Sequence, residues 1–296
     1  MQSLEALSAR LRTTGDIHSI VRTMKSLSSA SIRQYEHAVE TMEDFERTIS
    51  LGLQIVLGDE GGRIRPDLPG DTRRGCALIV IGSDRGLCGR FNDRIGQFAL
   101  DRMAGEASGN PRHLCVVGQR VAARLKAAGR APDTLFLLPG SVGGLVSTVH
   151  ALAVEVERWT AGDVGTVSIL FNRREGMGPG APTDWQLLPV PCDYLEGLAR
   201  ASWPSRRLPI YRMERGKLLS WLVGQRIFVQ LYRALAESLA SEHASRLASM
   251  QRAERNIGEH REGLMGEFRQ KRQEAITREL IDILAGFESV RKTESG

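Results

Sequence analysis

The sequence predicts an α/β fold in which long N- and C-terminal helices form an antiparallel coiled coil, with an inserted, mainly parallel, Rossmann-like α/β domain. Three observations carry this. Residues 1–57 and 210–290 hold no proline, which leaves two uninterrupted helical stretches. Residues 75–195 alternate short apolar runs with helix-period segments, the pattern of a parallel sheet covered by helices. Both ends carry small residues, "SLSSAS" at 26–31 and a series from Ala234 to Ser249, and small faces let two helix backbones approach closely.

Taken in order, residues 1–57 form the first element. Leu4, Leu7 and Leu11 step at helical spacing, and Ile17, Ile20, Met24 and Leu27 do the same. A helix of this length runs about 85 Å. Residues 58–74, "GDEGGRIRPDLPGDTRR", have glycine, proline and charge without periodicity and read as a linker. Strands are expected at 76–82, 113–118, 134–138 and 166–172, and helices at 91–104, 119–128 and 142–160. "RREGMGPGAPTD" at 173–184 reads as a mobile loop leading to one more strand at 185–190. The stretch from 210 onward predicts a second helix of about 120 Å. Its small residues, Ala234, Ala236, Ser238, Ala240, Ser241, Ala244, Ser245, Ala248 and Ser249, are expected at the seam between the two helices. The domains are then 1–57, 75–195 and 210–296. A helix pair that outgrows its globular domain leaves a rod exposed, and a rod wants a partner.

Composition excludes several function classes. No apolar run approaches the roughly 20 residues of a membrane span. The N-terminus "MQSLEALSARLRTT" places Glu5, Arg10 and Arg12 where a signal or transit peptide would have an apolar or acid-poor core. Cys76, Cys88, Cys115 and Cys192 form no CxxC pair and have no histidine at ligand spacing, which argues for reduced thiols over zinc or disulfides. The net charge of +5 is spread out, and aromatics are only 5%, so nucleic-acid binding is unsupported. A mildly basic C-terminal segment can still meet an acidic protein surface.

One turn invites a different reading. "GSDRGLCGRFN", residues 82–92, joins an apolar strand to a helix, where glycine-rich turns often cradle phosphate. Yet Gly82, Gly86 and Gly89 match neither GxGxxG nor GxxxxGK[ST], and no lysine follows. Asp84 and Arg85 can pair locally or face a partner. Cys88 reads as a buried or contact residue, since no histidine lies nearby to activate it. The six histidines show no HxxxH or HExxH pattern, and no GxSxG is present. Catalysis, a metal or a cofactor of the chain's own has little support.

Read together, the ends and the turn resemble the gamma subunit of F-type ATP synthases, the central rotor shaft. "RTTGDIHSIVRTMKSLSSA" is similar to the family's N-terminal helix, with Ile20, Met24 and Lys25 at matching positions. "SDRGLCGRFN" looks like the family's SDRGLCG signature. "LYRALAESLASEHASRLASMQRAERN" and "RQEAITRELIDILAGFESV" resemble its C-terminal blocks, with Arg272, Gln273, Ile276, Thr277 and Glu279 in place. The stretch after Met24 is serine-rich where the family is alanine-rich and basic, and the loop 173–184 and "GEHREGLMGEFRQKR" also diverge. These departures suit an atypical complex, coupled to protons or to sodium.

The resemblance implies a division of labour. The paired helices stand inside a hexamer of alpha and beta subunits, and the sheet domain lies near epsilon and the ring of c subunits. The chain itself has no active site and binds no cofactor, and it meets the membrane only peripherally, at the cytoplasmic face of a bacterial inner membrane. Arg85 and Cys88 would face the acidic lever of a beta subunit. Arg272, Gln273 and Thr277 would bond a beta-subunit loop. Ile276, Leu280, Ile283, Leu284 and Phe287 would turn in an apolar sleeve. Met24 and Arg246 would lie near each other, so facing residue numbers would sum to about 270, with Tyr35 near Leu235, Ser28 near Glu242 and no partner beyond about residue 270. A nucleotide-binding α/β enzyme and an unrelated coiled-coil scaffold remain the alternatives.

Overall fold

A computed structural model describes residues 3–58, 75–105, 111–206 except 175, 177 and 179, and 209–293, with side chains as far as 285. The expected linker therefore lies, apart from Gly58, outside the described residues.

Helix α1 runs Leu4–Gly58 and α6 runs Arg215–Thr293. Between them come β1 (Gly75–Ile81), α2 (Phe91–Gly105), β2 (His113–Val117), α3 (Gln119–Ala127), β3 (Thr134–Phe136), α4 (Leu145–Ala161), β4 (Val164–Arg173), β5 (Ala181–Leu188) and α5 (Cys192–Arg200). The sheet order is β3-β2-β1-β4-β5. The first four strands are mutually parallel and β5 is antiparallel to β4. Among the described residues no helix is long and apolar enough to cross a membrane.

Strand side chains alternate between faces, and the two faces carry different cores. Ala77, Ile79, Ile81, Cys115, Val117, Val167, Ile169 and Phe171 pack with α4 and with stretches of α1 and α6. Leu78, Val80, Leu114, Val116 and Leu170 pack with Ile95, Ala99 and Met103 of α2 and Val121 and Leu125 of α3. Burial on both faces explains why β1 and β4 read as continuous apolar runs.

The structure corrects the sequence reading at four points. Residues 181–184 belong to β5 and pair with the end of β4, Arg173 included, so both ends of the loop expected at 173–184 are strand. Ladder hydrogen bonds to β4 recruit a stretch that lacks strand propensity of its own. Helix α5 was not expected; Pro191 before it and Asp193 in its first turn are ordinary helix-start signals.

The third correction concerns the stripe. The structure divides into two compact units, residues 1–27 with 249–296 and residues 28–248. In the first, Leu7 and Val21 of α1 and Met250 and Leu264 of α6 are buried. Ile17, Ile20 and Leu27 are instead exposed, at 47%, 59% and 63%. The face that packs descends through Leu11, Thr14, His18 and Lys25, all half-buried, in steps of three and four.

The fourth is the register. Lys25 Nζ meets Glu254 Oε2 at 2.6 Å, and Glu46 meets Arg233, so facing residue numbers sum to 279. Tyr35 stacks on His243, not Leu235, with ring centroids 5.7 Å apart. Ser28 is accordingly displaced from Glu242 and Met24 from Arg246. The register is set where side chains of the two helices match, Lys25 on Glu254 and Tyr35 on His243. The side chains of residues 276–285 are all exposed, so the unpartnered segment begins slightly later than expected.

Candidate functional site

The turn after β1 is held from within. Ser83 N–H donates to Asn92 Oδ1 at 2.9 Å, and Asn92 Nδ2 donates back to Ser83 Oγ at 2.7 Å. Ser83 Oγ donates to the Arg85 carbonyl at 2.8 Å. Cys88 is buried, its Sγ 3.5 Å from Asn92 Nδ2, and burial pushes its thiol pKa up. Among the described residues Leu87 is the non-glycine residue with positive φ, at 63°, and it is 63% exposed. A bulky apolar side chain held in the left-handed region and aimed at solvent is uncommon, and strain of this kind clusters at functional sites. No sequence pattern marks it.

Asp84 ties this turn to the segments that follow β2 and β3. One carboxylate oxygen accepts from the Gln119 N–H at 2.9 Å and the other from the Leu138 N–H at 2.8 Å. Gln119 opens α3, so the carboxylate sits where a helix N-terminus attracts an anion. Asp84→Asn keeps one acceptor but aims an amide donor at the second N–H. It is expected to cost about 1–2 kcal/mol of stability, read as a lower midpoint in urea unfolding; an unchanged midpoint would remove Asp84 from this role.

Helix α6 closes the other side. Ser245 Oγ donates to the Cys88 carbonyl at 2.7 Å. Ser241 Oγ accepts the Gly180 N–H at 3.2 Å. A Cβ on Gly180 would stand 2.4 Å from that same Oγ, so only glycine lets the β4–β5 connection approach so closely. Several of the small residues of α6 thus meet loops of the α/β domain, beyond the helix seam the sequence reading assigned them. Beside these serines, Arg246 pairs with buried Glu242 and reaches the Gly86 carbonyl at 3.5 Å. Burial raises the Glu242 pKa against the pull of Arg246. Burial, then Arg246 and Arg85, lower that of His243 to about 4, leaving a neutral ring on Tyr35.

This geometry bears on where a phosphate cradle would have to lie. Open α/β sheets bind ligands outside the carboxyl ends of the strands, where strand order reverses. Here that crevice lies between the ends of β1 and β4. Ser245 and Ser241 of α6 bond the loops after β1 and β4 on its two sides, and Asn172 at the end of β4 donates to the Phe91 carbonyl at 3.3 Å. The adjacent N-terminus of α3 is already occupied by Asp84. Two surface grooves, about 420 and 480 Å3, lie elsewhere, beside α4 and beside the end of α1.

The residues singled out from the sequence fall into two groups. Cys88 and Arg246 are buried and brought together around the turn. Arg85, Arg272, Gln273 and Thr277 are exposed, and Met24 is half-buried within the stripe of Ile17, Ile20 and Leu27. The last stretch of α6 presents Ile276, Leu280, Ile281, Ile283 and Leu284 at 49–64% exposure. The side chain of Phe287 lies outside the described residues.

A family model described as ATP synthase matches residues 3–290. The ATP synthase gamma chain of Geobacter metallireducens is 30% identical over 296 residues, spanning 98% of this chain and 100% of that protein. The gamma chain of Granulibacter bethesdensis is 28% identical, again over 98% of this chain and 100% of its own length. Among solved structures, the rotor of the Euglena gracilis mitochondrial ATP synthase superimposes with a TM-score of 0.64 at 17% identity, covering 92% of this chain and 98% of its counterpart.

Proposed function

Since the chain belongs to the ATP synthase gamma-chain family, and is so a subunit of a catalytic complex, we propose that it has no active site of its own and works as the turning shaft within that complex. Its partners on this reading are the alpha–beta hexamer, the epsilon subunit and the ring of c subunits. It is peripheral to the cytoplasmic face of a bacterial inner membrane, in a complex driven by protons or sodium. The observation that carries the reading is the apolar end of α6, five large side chains 49–64% exposed on a helix past its own partner. Exposed apolar surface of that extent marks an interaction site. We divide the chain by task into 1–57 and 210–296, which form the shaft, and 75–195, which meets the ring side.

The shaft works by differential contact. It is asymmetric, whereas its three beta partners are identical in sequence, so each orientation stabilises a different conformation at each catalytic site. A partner shifts an equilibrium only by its difference in affinity for the two states, and that difference is the allosteric coupling. Met24, Arg85, Arg272, Gln273 and Thr277 supply the contacts to beta, with Leu87 beside Arg85. Cys88 and Arg246 act behind them by holding the turn in shape. One charge crossing 100 mV yields only about 2.3 kcal/mol, so several ions add up for each ATP and the shaft transmits their sum.

Purifying the tagged chain from its own cell tests this directly. Alpha, beta, epsilon and c are expected to come with it, and the preparation to pump ions on ATP. A chain isolated without alpha and beta, or one that binds ATP tightly alone, overturns the reading. Within the complex, Arg272→Ala with Gln273→Ala is expected to slow coupled turnover about tenfold, since a bond to a charged group is worth about 1.5–3 kcal/mol. Both side chains are exposed, so the melting temperature of the isolated chain stays put. Wild-type hydrolysis and pumping in the double variant would end the assignment.

A further inference from the structure

Two arginines at the end of β4 part company. Arg173 is the last residue of β4 and Arg174 the first beyond it, and they reach different helices. Arg174 pairs with Glu36 of α1. Arg173 Nε lies 3.4 Å from Glu237 Oε2 of α6. One loop thus holds one carboxylate on each long helix.

The grip extends inward. Arg233 of α6 joins Glu237, at 3.5 Å, to Glu46 of α1. Trp185 of β5 lies against both guanidinium groups, each 5.6 Å from its ring centroid. Gly180 seats the far side of the loop on Ser241. Arg173 and Arg233 therefore share one network with Glu237, Glu46 and Trp185, and the separate pair of Arg174 and Glu36 stands beside it. Salt bridges that form networks and stay partly buried contribute where isolated surface pairs do not.

The position of this network matters mechanically. The chain leaves α1 at Gly58, and Glu36 lies about 33 Å further up that helix. Apolar packing of one sheet face on α1 and α6 already joins domain and shaft, but such packing is non-directional, and charge pairs at this second level fix how the two are oriented. We propose that the β4–β5 hairpin is a yoke, in which Arg173 and Arg174 are positioning residues that tie the α/β domain to both long helices so that domain and shaft turn as one. The proposal rests on the rotor reading above and adds to it the part that carries torque between the sheet domain and the helix pair.

The pair Arg174 and Glu36 allows a test by charge exchange, because Glu36 is the more exposed partner at 45%. The complex is reconstituted in vesicles with Arg174→Glu, with Glu36→Arg, or with both, and ATP hydrolysis and ion pumping are followed together. Each single variant is expected to pump about fivefold fewer ions per ATP, the rate equivalent of about 1 kcal/mol, with hydrolysis preserved. The double exchange is expected to restore pumping to within about twofold. A lost fold would lower assembly and hydrolysis in proportion and would not be rescued by exchanging charges. Single variants that pump like wild type overturn the yoke, as does an exchange no better than its parents. A wild-type complex that does not pump overturns the rotor reading, and the yoke with it.

Discussion

Arg246→Ala is expected to destabilise the chain by about 3–5 kcal/mol, the cost of leaving a buried charge without its partner. The stranded group is Glu242, 5% exposed and paired with Arg246 one turn away. Its carboxyl pKa is already raised by burial, and losing the guanidinium raises it further. The pH dependence follows from the sign of that shift. A carboxyl whose folded pKa exceeds its unfolded value binds the extra proton in the folded state, so stability falls as pH rises through the interval between the two values. The variant is therefore expected to lie closest to wild type near about pH 5 and furthest from it near about pH 8. Thermal unfolding at both values measures this. Adding Glu242→Gln to the variant removes the charge and is expected to recover much of the loss at the higher pH. A deficit that grows on acidification would show that Glu242 is not the stranded group. The turn itself should loosen, since Arg246 also reaches the Gly86 carbonyl.

Met24→Lys is expected to change coupled turnover about 5- to 30-fold while leaving the fold intact, the effect of about 1–2 kcal/mol on one step. Met24 is half-buried among the exposed residues Ile17, Ile20 and Leu27, on a face the helix pair does not use. Lysine has similar length, and its stem can lie along the apolar stripe while its ammonium reaches out. That charge would seek an acidic group on the surrounding beta subunits and favour some orientations of the shaft over others. Lys25, next in sequence, already holds Glu254 within the helix pair, so the chain offers the new charge no equivalent partner at that carboxylate. ATP-driven pumping in vesicles is measured beside the melting temperature of the isolated chain. Normal pumping at a normal hydrolysis rate would show that position 24 does not face the hexamer. A collapsed melting temperature would show that Met24 is ordinary core.

These two substitutions separate what the sequence made legible from what it hid. The SDRGLCG turn and the small residues of α6 are plain in the sequence, but their meeting is not. Ser241 and Ser245 lie more than 60 and 150 residues from the loops they hold, and nothing local links them. That α6 bonds both the turn after β1 and the connection after β4 is equally a matter of which helix arrives there. Leu87 escaped notice because its left-handed backbone breaks the ordinary residue preference at that position.

By itself the sequence determines the elements and their class: two proline-free helices, and between them a sheet whose strands and helices alternate. Each depends on local periodicity and on proline's effect within a turn or two, so a single chain suffices to read them. Tertiary structure alone decides which stripe of α1 is buried and hence the register. Ile17, Ile20, Met24 and Leu27 repeat at helical spacing as well as Leu7, Leu11, Thr14, His18, Val21, Lys25, Ser28, Ile32 and Tyr35 do, and the first set is the more apolar. The second is buried or half-buried because α6 meets it with Glu254 at Lys25 and His243 at Tyr35. A mixed stripe is buried in preference to a more apolar one when the facing helix complements it, and complementarity resides in the pair, not in either helix alone.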